Sequence, residues 1–430
     1  MGKLEEAPMT TTTAVSRVVP ISTRKSQILY GSVLMGVGLL IFLLFGLNTE
    51  AGVTTTFGLN LASSEAIKIP DLIVPSLATV NLMAMVAVFV GAFHLARGIR
   101  SIGVVVGVIA FTLVLAFITW AAQDKSFNLT GMISSSFVRA TPIALAALCG
   151  VISERSGVIN IGIEGIMLIS AQVAVVTATV TQNLWVGLIM AILAGALVAA
   201  LHAFLIIRFN VDQIVSGVAI NIVGAGVTAF IASRFLEETD TLNNSGTFPI
   251  ITIPLFSKIP ILGPMLFENN IIVYLMVLLV IAMQVMLYKT PWGLRTRAVG
   301  EHPKAADTLG VNVFLMRYVN VIIGGMIAGI GGAYFTIGSV GRFDEFMTAG
   351  KGFIGLAAMI FGKWNPVGAF VSSLIFGFAD SLQVKLQILR VPIPSEFLLM
   401  APYIVTMIIL TGVVGRAIPP AADGQPYEKS

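Results

Sequence analysis

Apolar runs long enough to cross a bilayer recur along this chain from Ile28 almost to its C-terminus, and they decide what it can fold into. A spanning helix needs roughly 20 mainly apolar residues. About twelve segments have this character, at 28–47, 72–96, 102–121, 137–152, 159–180, 185–207, 213–236, 271–288, 318–340, 353–362, 367–386 and 397–414. Hydrophobic residues make up 57% of the chain and charged residues 11%, against about 25% charged in a soluble domain. No soluble fold hides that much apolar surface. The expectation is an all-α membrane protein, a polytopic transmembrane helix bundle of about 10–12 spans.

Composition excludes several functions. The net charge of +4 comes from basic residues scattered singly between apolar runs, with no aromatic-interleaved patch, so nucleic acid is not a partner. Cys149 is the only cysteine, which rules out intrachain disulfides and cysteine-cluster metal sites. His94, His202 and His302 each lack a second ligand at metal-binding spacing and read as polar residues at helix ends or packed sites. No paired acid, nucleophile and histidine cluster points to an enzyme. The phosphate-loop pattern G-x-x-x-x-G-K-[ST] is missing: Gly350-Lys351 is followed by Gly352, and Gly362-Lys363 by Trp364. No cofactor is expected, and any ATP would be bound by a partner polypeptide. The polar, Thr-rich start carries Arg17, Arg24 and Lys25 ahead of a first run too long for a signal-peptide core, so that run is retained as a span.

With the N-terminus in the cytoplasm, alternate crossing puts most of the 25 Lys and Arg inside, as the positive-inside rule requires. Two segments depart from ordinary spans. The run at 353–362 is too short to cross, and the run from Ile159 opens with Asn160, Gly162, Glu164 and Gly165. Such broken backbone is tolerated at membrane depth only where protein or a water-filled cavity satisfies it. A faint repeat, with 195–201 matching 368–374, places similar helices in opposite orientation after each irregular segment. Inverted repeats with interrupted helices mark transporters whose pathway lies at the repeat interface. Asn160, Glu164, Asn221, Phe353 and Asp380, polar or aromatic beside glycine-broken backbone, are the candidate path residues. Polar side chains here either hydrogen-bond across helices or line a polar path, and both uses fit. Glu154 and Arg155 read as an interfacial ion pair capping helix ends, or as functional groups.

Outside the bilayer, Pro249, Pro254, Pro260 and Pro264 make the outer stretch too proline-rich for a helix, so it is expected to lie extended and to help dock a binding protein. In the cytoplasmic loop, a short helix is expected over 303–309. Pro303 suits its first position and Gly310 the left-handed position past its end. Pro303, Ala305, Ala306, Leu309 and Gly310 are the candidate ATPase-coupling residues.

Five stretches carry a family resemblance: 153–165 (from Ser153-Glu154-Arg155 to Ile163-Glu164-Gly165), 213–221 (from Gln213 to Asn221), 292–307 (from Trp292-Gly293 to Asp307), 347–358 (from Met347-Thr348 to Ala358) and 361–366 (from Phe361 to Pro366). In this order they resemble the permeases of nucleoside and simple-sugar ABC importers, within the group that includes ribose and branched-chain amino-acid permeases. The resemblance covers roughly the last two thirds of the chain. It implies a cytoplasmic tail at 1–27, extra membrane segments at 28–133, a first permease repeat at 134–236, an external loop at 237–270, a helix and coupling loop at 271–317, a second repeat at 318–415 and a tail at 416–430. It further implies ABC ATPase subunits, a second related permease subunit, an extracytoplasmic substrate-binding lipoprotein, a nucleoside or simple-sugar substrate and surrounding membrane lipid. An ion-coupled secondary transporter is the rival reading.

Overall fold

The computed structural model describes residues 24–61, 69–99, 101–237, 241–391, 393–394, 397–398, 400 and 417–429. The apolar segment expected at 397–414 therefore lies almost wholly outside the described residues, as does the tail before residue 24. Among the described residues ten helices are long and apolar enough to cross a membrane. The described chain forms two units, one of residues up to 55 with 74–125, the other of 56–73 with 126 onward.

The first unit contains α1 (Arg24–Ile41), which ends in a π-helical turn at Phe42–Gly46, α2 (Ser76–Arg97) and α3 (Ile102–Ala121). α1 and α2 pack backbone to backbone, since a Cβ on Gly91 would stand 2.9 Å from the Met35 nitrogen. Gln27 Nε2 donates to the carbonyls of His94 and Leu95, which lie at the unpaired C-terminal turn of α2. Phe45, Phe117 and Trp120 form an aromatic trio near the other end.

The second unit holds α4 (Leu129–Arg155), α5 (Ile163–Thr181), α6 (Leu184–Arg208), α7 (Gln213–Ile231), α8 (Leu262–Leu266), α9 (Ile271–Lys289), α10 (Pro291–Glu301), α11 (Pro303–Thr308), α12 (Val313–Phe335), α13 (Lys351–Phe361) and α14 (Pro366–Ile388). The sequence marks where most of these begin. Asn128, Asn183, Asp212, Asn270, Thr290, Asn312 and Asn365 each accept a first-turn amide as N-caps. α4 and α5 are buried along most of their length, whereas α6, α7 and α9 turn broad apolar faces outward, as lipid-facing helices do.

The inverted repeat relates α4, α5 and α6 to α12, α13 and α14. α6 lies along α12 as α14 lies along α4. Its register differs from the 195–201 and 368–374 match. Gly195 presses on Gly325 and Gly329 of α12, and its counterpart is Gly377, which presses on Ser136 and Ala140 of α4. Each of the two glycines stands twelve residues beyond its capping asparagine. The sequence match is displaced by about two and a half turns because runs of small apolar residues match in many registers, whereas a cap fixes one.

The irregular spans take the form their residues imply. Helix α5 begins only at Ile163 and α13 spans 11 residues. The outer stretch differs from expectation: Ile251–Thr252 pairs with Glu268–Asn269, a 3-10 turn covers Phe256–Lys258, and α8 contains Pro264. A proline in a first turn loses no intrahelical bond, so it does not forbid so short a helix.

Candidate functional site

The backbone of residues 156–162 leaves helical geometry between α4 and α5, and side chains from α6 and α7 take up its polar groups. Gln213 Oε1 accepts from Ile159 N–H at 2.7 Å, and His202 Nε2 lies 3.0 Å from the Ile159 carbonyl while its Nδ1 meets Ser216. Asn221 donates to the Ile161 carbonyl and accepts from Gly165 N–H, at 2.9 and 2.8 Å. Irregular backbone is thus satisfied by protein, as the membrane interior demands. A Cβ on Gly165 would stand 2.5 Å from the Ile220 carbonyl, so only glycine lets α7 approach this closely.

The start of α13 is held differently. Glu164, in the first turn of α5, accepts from the Thr348 hydroxyl at 2.5 Å and from the amides of Gly350 and Gly352 at 2.9 and 2.6 Å. A buried carboxylate therefore supplies the acceptors that the free amides of a helix N-terminus require, where the helix dipole favours negative charge. Gly352 is pressed against it, since a Cβ there would fall 2.7 Å from the Glu164 backbone.

Lys351, the first residue of α13, places its Nζ 2.9 Å from Asp380 Oδ1 on α14, and Arg139 Nη1 of α4 stands 2.9 Å from Asp380 Oδ2. One carboxylate thus holds two cations and joins three helices. The group lines a cavity of about 370 Å³ with Ser134, Ser135, Val138, Pro142, Tyr334, Phe335 and Ser339. Its size falls within the roughly 300–1,000 Å³ of small-molecule sites. Taken together the three ionised side chains leave one positive charge beside hydroxyl groups and an aromatic ring. Such a lining can hydrogen-bond the hydroxyls, carbonyls and ring nitrogens of a neutral polar solute and pack against its flat face.

Of the five candidate path residues the structure places only Asp380 on this cavity. Glu164 and Asn221 fix the starts of α13 and α5. Asn160 is fully buried, donates to Cys149 Sγ at 3.7 Å and leaves its Oδ1 without a partner among the described residues. Phe353 is exposed on α13. Arg139 and Lys351 were missed by the sequence reading, although Arg139 interrupts an apolar run, the signal that could have found it. Glu154 and Arg155 do not pair with each other. Both grip the left-handed turn Lys363-Trp364 after α13, Glu154 through the Trp364 indole and Arg155 through both carbonyls.

In the loop that follows α10, α11 spans Pro303–Thr308, one residue short of the expected helix. His302 Nδ1 accepts from Ala305 N–H as its cap, and Gly310 lies at φ +82°. Ala306 is buried in a cluster with Val299, Val313 and Met316, and Leu309 is 85% exposed.

A helical bundle with an inverted repeat, two interrupted helices at matching positions and a polar cavity lined by ionisable side chains defines a membrane transport protein. The chain belongs to the family described as branched-chain amino acid transport system / permease component, whose model matches residues 132–414. It is accordingly a multi-pass protein of the plasma membrane, a permease in class. It is similar to the guanosine ABC transporter permease protein NupQ of Bacillus subtilis (strain 168), 44% identical over 310 residues, covering 69% of this chain and 96% of the relative. It is 40% identical to the nucleoside ABC transporter permease protein NupC of Lactococcus lactis subsp. cremoris (strain MG1363), covering 70% and 97%. A putative glucose ABC transporter permease protein of Haloferax volcanii is 39% identical over 60% of this chain and 78% of its own length. No solved structure matches. The family match begins at residue 132, beyond α1 to α3.

Proposed function

We propose that this chain is the translocation subunit of an ATP-driven nucleoside importer, with the cavity at Asp380 as part of the solute path. The observation that carries the reading is its 44% and 40% identity to guanosine and nucleoside permeases over nearly their whole lengths. The cavity supports it, because hydroxyls, an arginine and a tyrosine suit a neutral sugar-base solute. The Haloferax relative keeps simple sugars as a second reading. The chain has no phosphate loop, so ATP is hydrolysed on partner ATPase subunits, which meet α10 and α11. A second related permease completes the pathway, and an external binding lipoprotein docks near residues 248–264. Labelled nucleosides and pentoses given to cells with and without the gene test this. Loss of nucleoside uptake alone is expected, and loss of pentose uptake alone would overturn it. Uptake by the purified chain in liposomes under an ion gradient, without ATPase, would favour an ion-coupled carrier instead. Asp380→Asn should lower nucleoside uptake at least about tenfold, equivalent to ~1.4 kcal/mol, with normal insertion.

A further inference from the structure

Residues 417–429 return to the second unit and lie against α10, α11 and α12. Ala422 N–H donates to the Gly300 carbonyl at 2.9 Å, Ala421 N–H donates to the Glu301 carboxylate at 3.2 Å, and Arg317 Nη1 donates to the Gln425 carbonyl at 2.9 Å. Tyr427 shares a buried cluster with Ala306, Val299, Val313 and Met316, its ring centroid 5.3 Å from that of Phe314. Lys429 Nζ lies 4.0 Å from Asp307. A helix of six residues is too short to hold its form in water by itself, and Ala306 is the one buried residue of α11. Tyr427 is the largest buried side chain in the cluster that receives Ala306, so the tail supplies much of the core on which α11 rests.

The same short segment also meets the interrupted backbone between α4 and α5. Gly157 takes φ +81°, and a Cβ there would stand 3.1 Å from the Ala422 carbonyl oxygen and 3.5 Å from Gly300 Cα. A Cβ on Gly300 would collide with the Arg155 carbonyl, and one on Gly424 would stand 2.6 Å from Ile159 Cδ1. The ends of α4 and α10 and the tail are therefore packed closely at their backbones, with little room for any of them to give way. Ile159 is the residue whose amide and carbonyl meet Gln213 and His202. One stretch of tail thus touches the helices read above as the ATPase contact and, a few residues away, the broken backbone before α5.

We propose that residues 420–427 are a brace that makes α11 and the interrupted backbone at 156–160 move as one body, with Tyr427 and Ala422 as positioning residues toward its two ends. Its part in transport rests on the ATPase-contact reading of α10 and α11, whereas the mechanical linkage does not. A displacement of α11 passes through Tyr427 along the tail to Ala422 and Gly424, and from them to Gly157 and Ile159. Packed groups carry a displacement only while each contact in the chain holds. Loosening the tail at either end should therefore loosen both places.

Amide hydrogen exchange of the full-length chain in lipid nanodiscs tests the linkage. Tyr427→Ala removes the ring from the α11 cluster, and Ala422→Pro removes the N–H that donates to Gly300. Each should raise exchange at least about tenfold both in α11 and at 156–160, and leave α14 unchanged. Tyr427→Phe, which keeps the ring, should exchange like the parent. A rise confined to the place beside the substitution would show that the two do not move together, and a rise in α14 as well would show general destabilisation; either overturns the proposal. Should a substitution prevent insertion, a chain ending at Ala417 must show the same paired rise. In the reconstituted complex, Tyr427→Ala should lower the nucleoside moved per ATP hydrolysed at least about fivefold. A paired rise in exchange with unaltered coupling would support the brace and refute the ATPase-contact reading of α10 and α11.

Discussion

The two interrupted helices occupy equivalent places in the inverted repeat, yet their starts are secured by different chemistry. The first, α5, is held by the neutral amide of Asn221, which satisfies one donor and one acceptor. The second, α13, is held by the Glu164 carboxylate through three donors. The neutral start belongs to a helix packed as scaffold. The charged start belongs to the helix that carries Lys351 to Asp380 and the cavity. A short helix that presents a lysine inside a membrane protein needs a firm anchor, and a buried anion at its N-terminus supplies one.

This difference can be broken by mutation, with unequal results. Glu164→Ala removes the acceptor of three donors at once, the Thr348 hydroxyl and Gly352 amide buried and the Gly350 amide partly so, and a buried donor left unpaired costs about 1–3 kcal/mol. It should lower the stability of the purified protein by about 3 kcal/mol or more, seen as a large fall in thermal midpoint in detergent. Glu164→Gln keeps an acceptor and should lose less. Asn221→Ala strands one amide and one carbonyl and should cost about 1–3 kcal/mol by the same measurement. Equal effects of Glu164→Ala and Asn221→Ala would erase the distinction. Leu309→Glu, on an exposed side chain of the cytoplasmic loop, should shift stability by no more than about 0.5 kcal/mol. Its expected effect is instead a fall in ATPase activity coupled to nucleoside, measured in the reconstituted complex.

The spans were legible because hydropathy over 20 residues is a strong signal, and the interruptions because Asn160, Gly162 and the glycines near 350 cannot belong to an ordinary apolar helix. Both ends of α11 were legible for a local reason, a proline at its first position and a glycine past its last. The cavity was not. Asp380 drew notice as an acid in an apolar run, but its partners come from elsewhere in the chain, and Arg139 and Lys351 taken singly read as charges near a membrane surface. Glu164 and Asn221 drew notice for the right physical reason, since buried polar groups must be satisfied, although sequence cannot say whether the partner is solute or backbone.

The most direct test of the cavity as part of the solute path compares Ser135→Cys, which lines it, with Asn160→Cys, which is fully buried and not part of its lining, both on a Cys149→Ala background. Ser135→Cys should react with an external membrane-impermeant thiol reagent in at least one transport state and be protected by nucleoside, while Asn160→Cys stays unreactive. Protection at neither site, or reaction and protection at Asn160→Cys with none at Ser135→Cys, would contradict the assignment of the path to Asp380 and its neighbours.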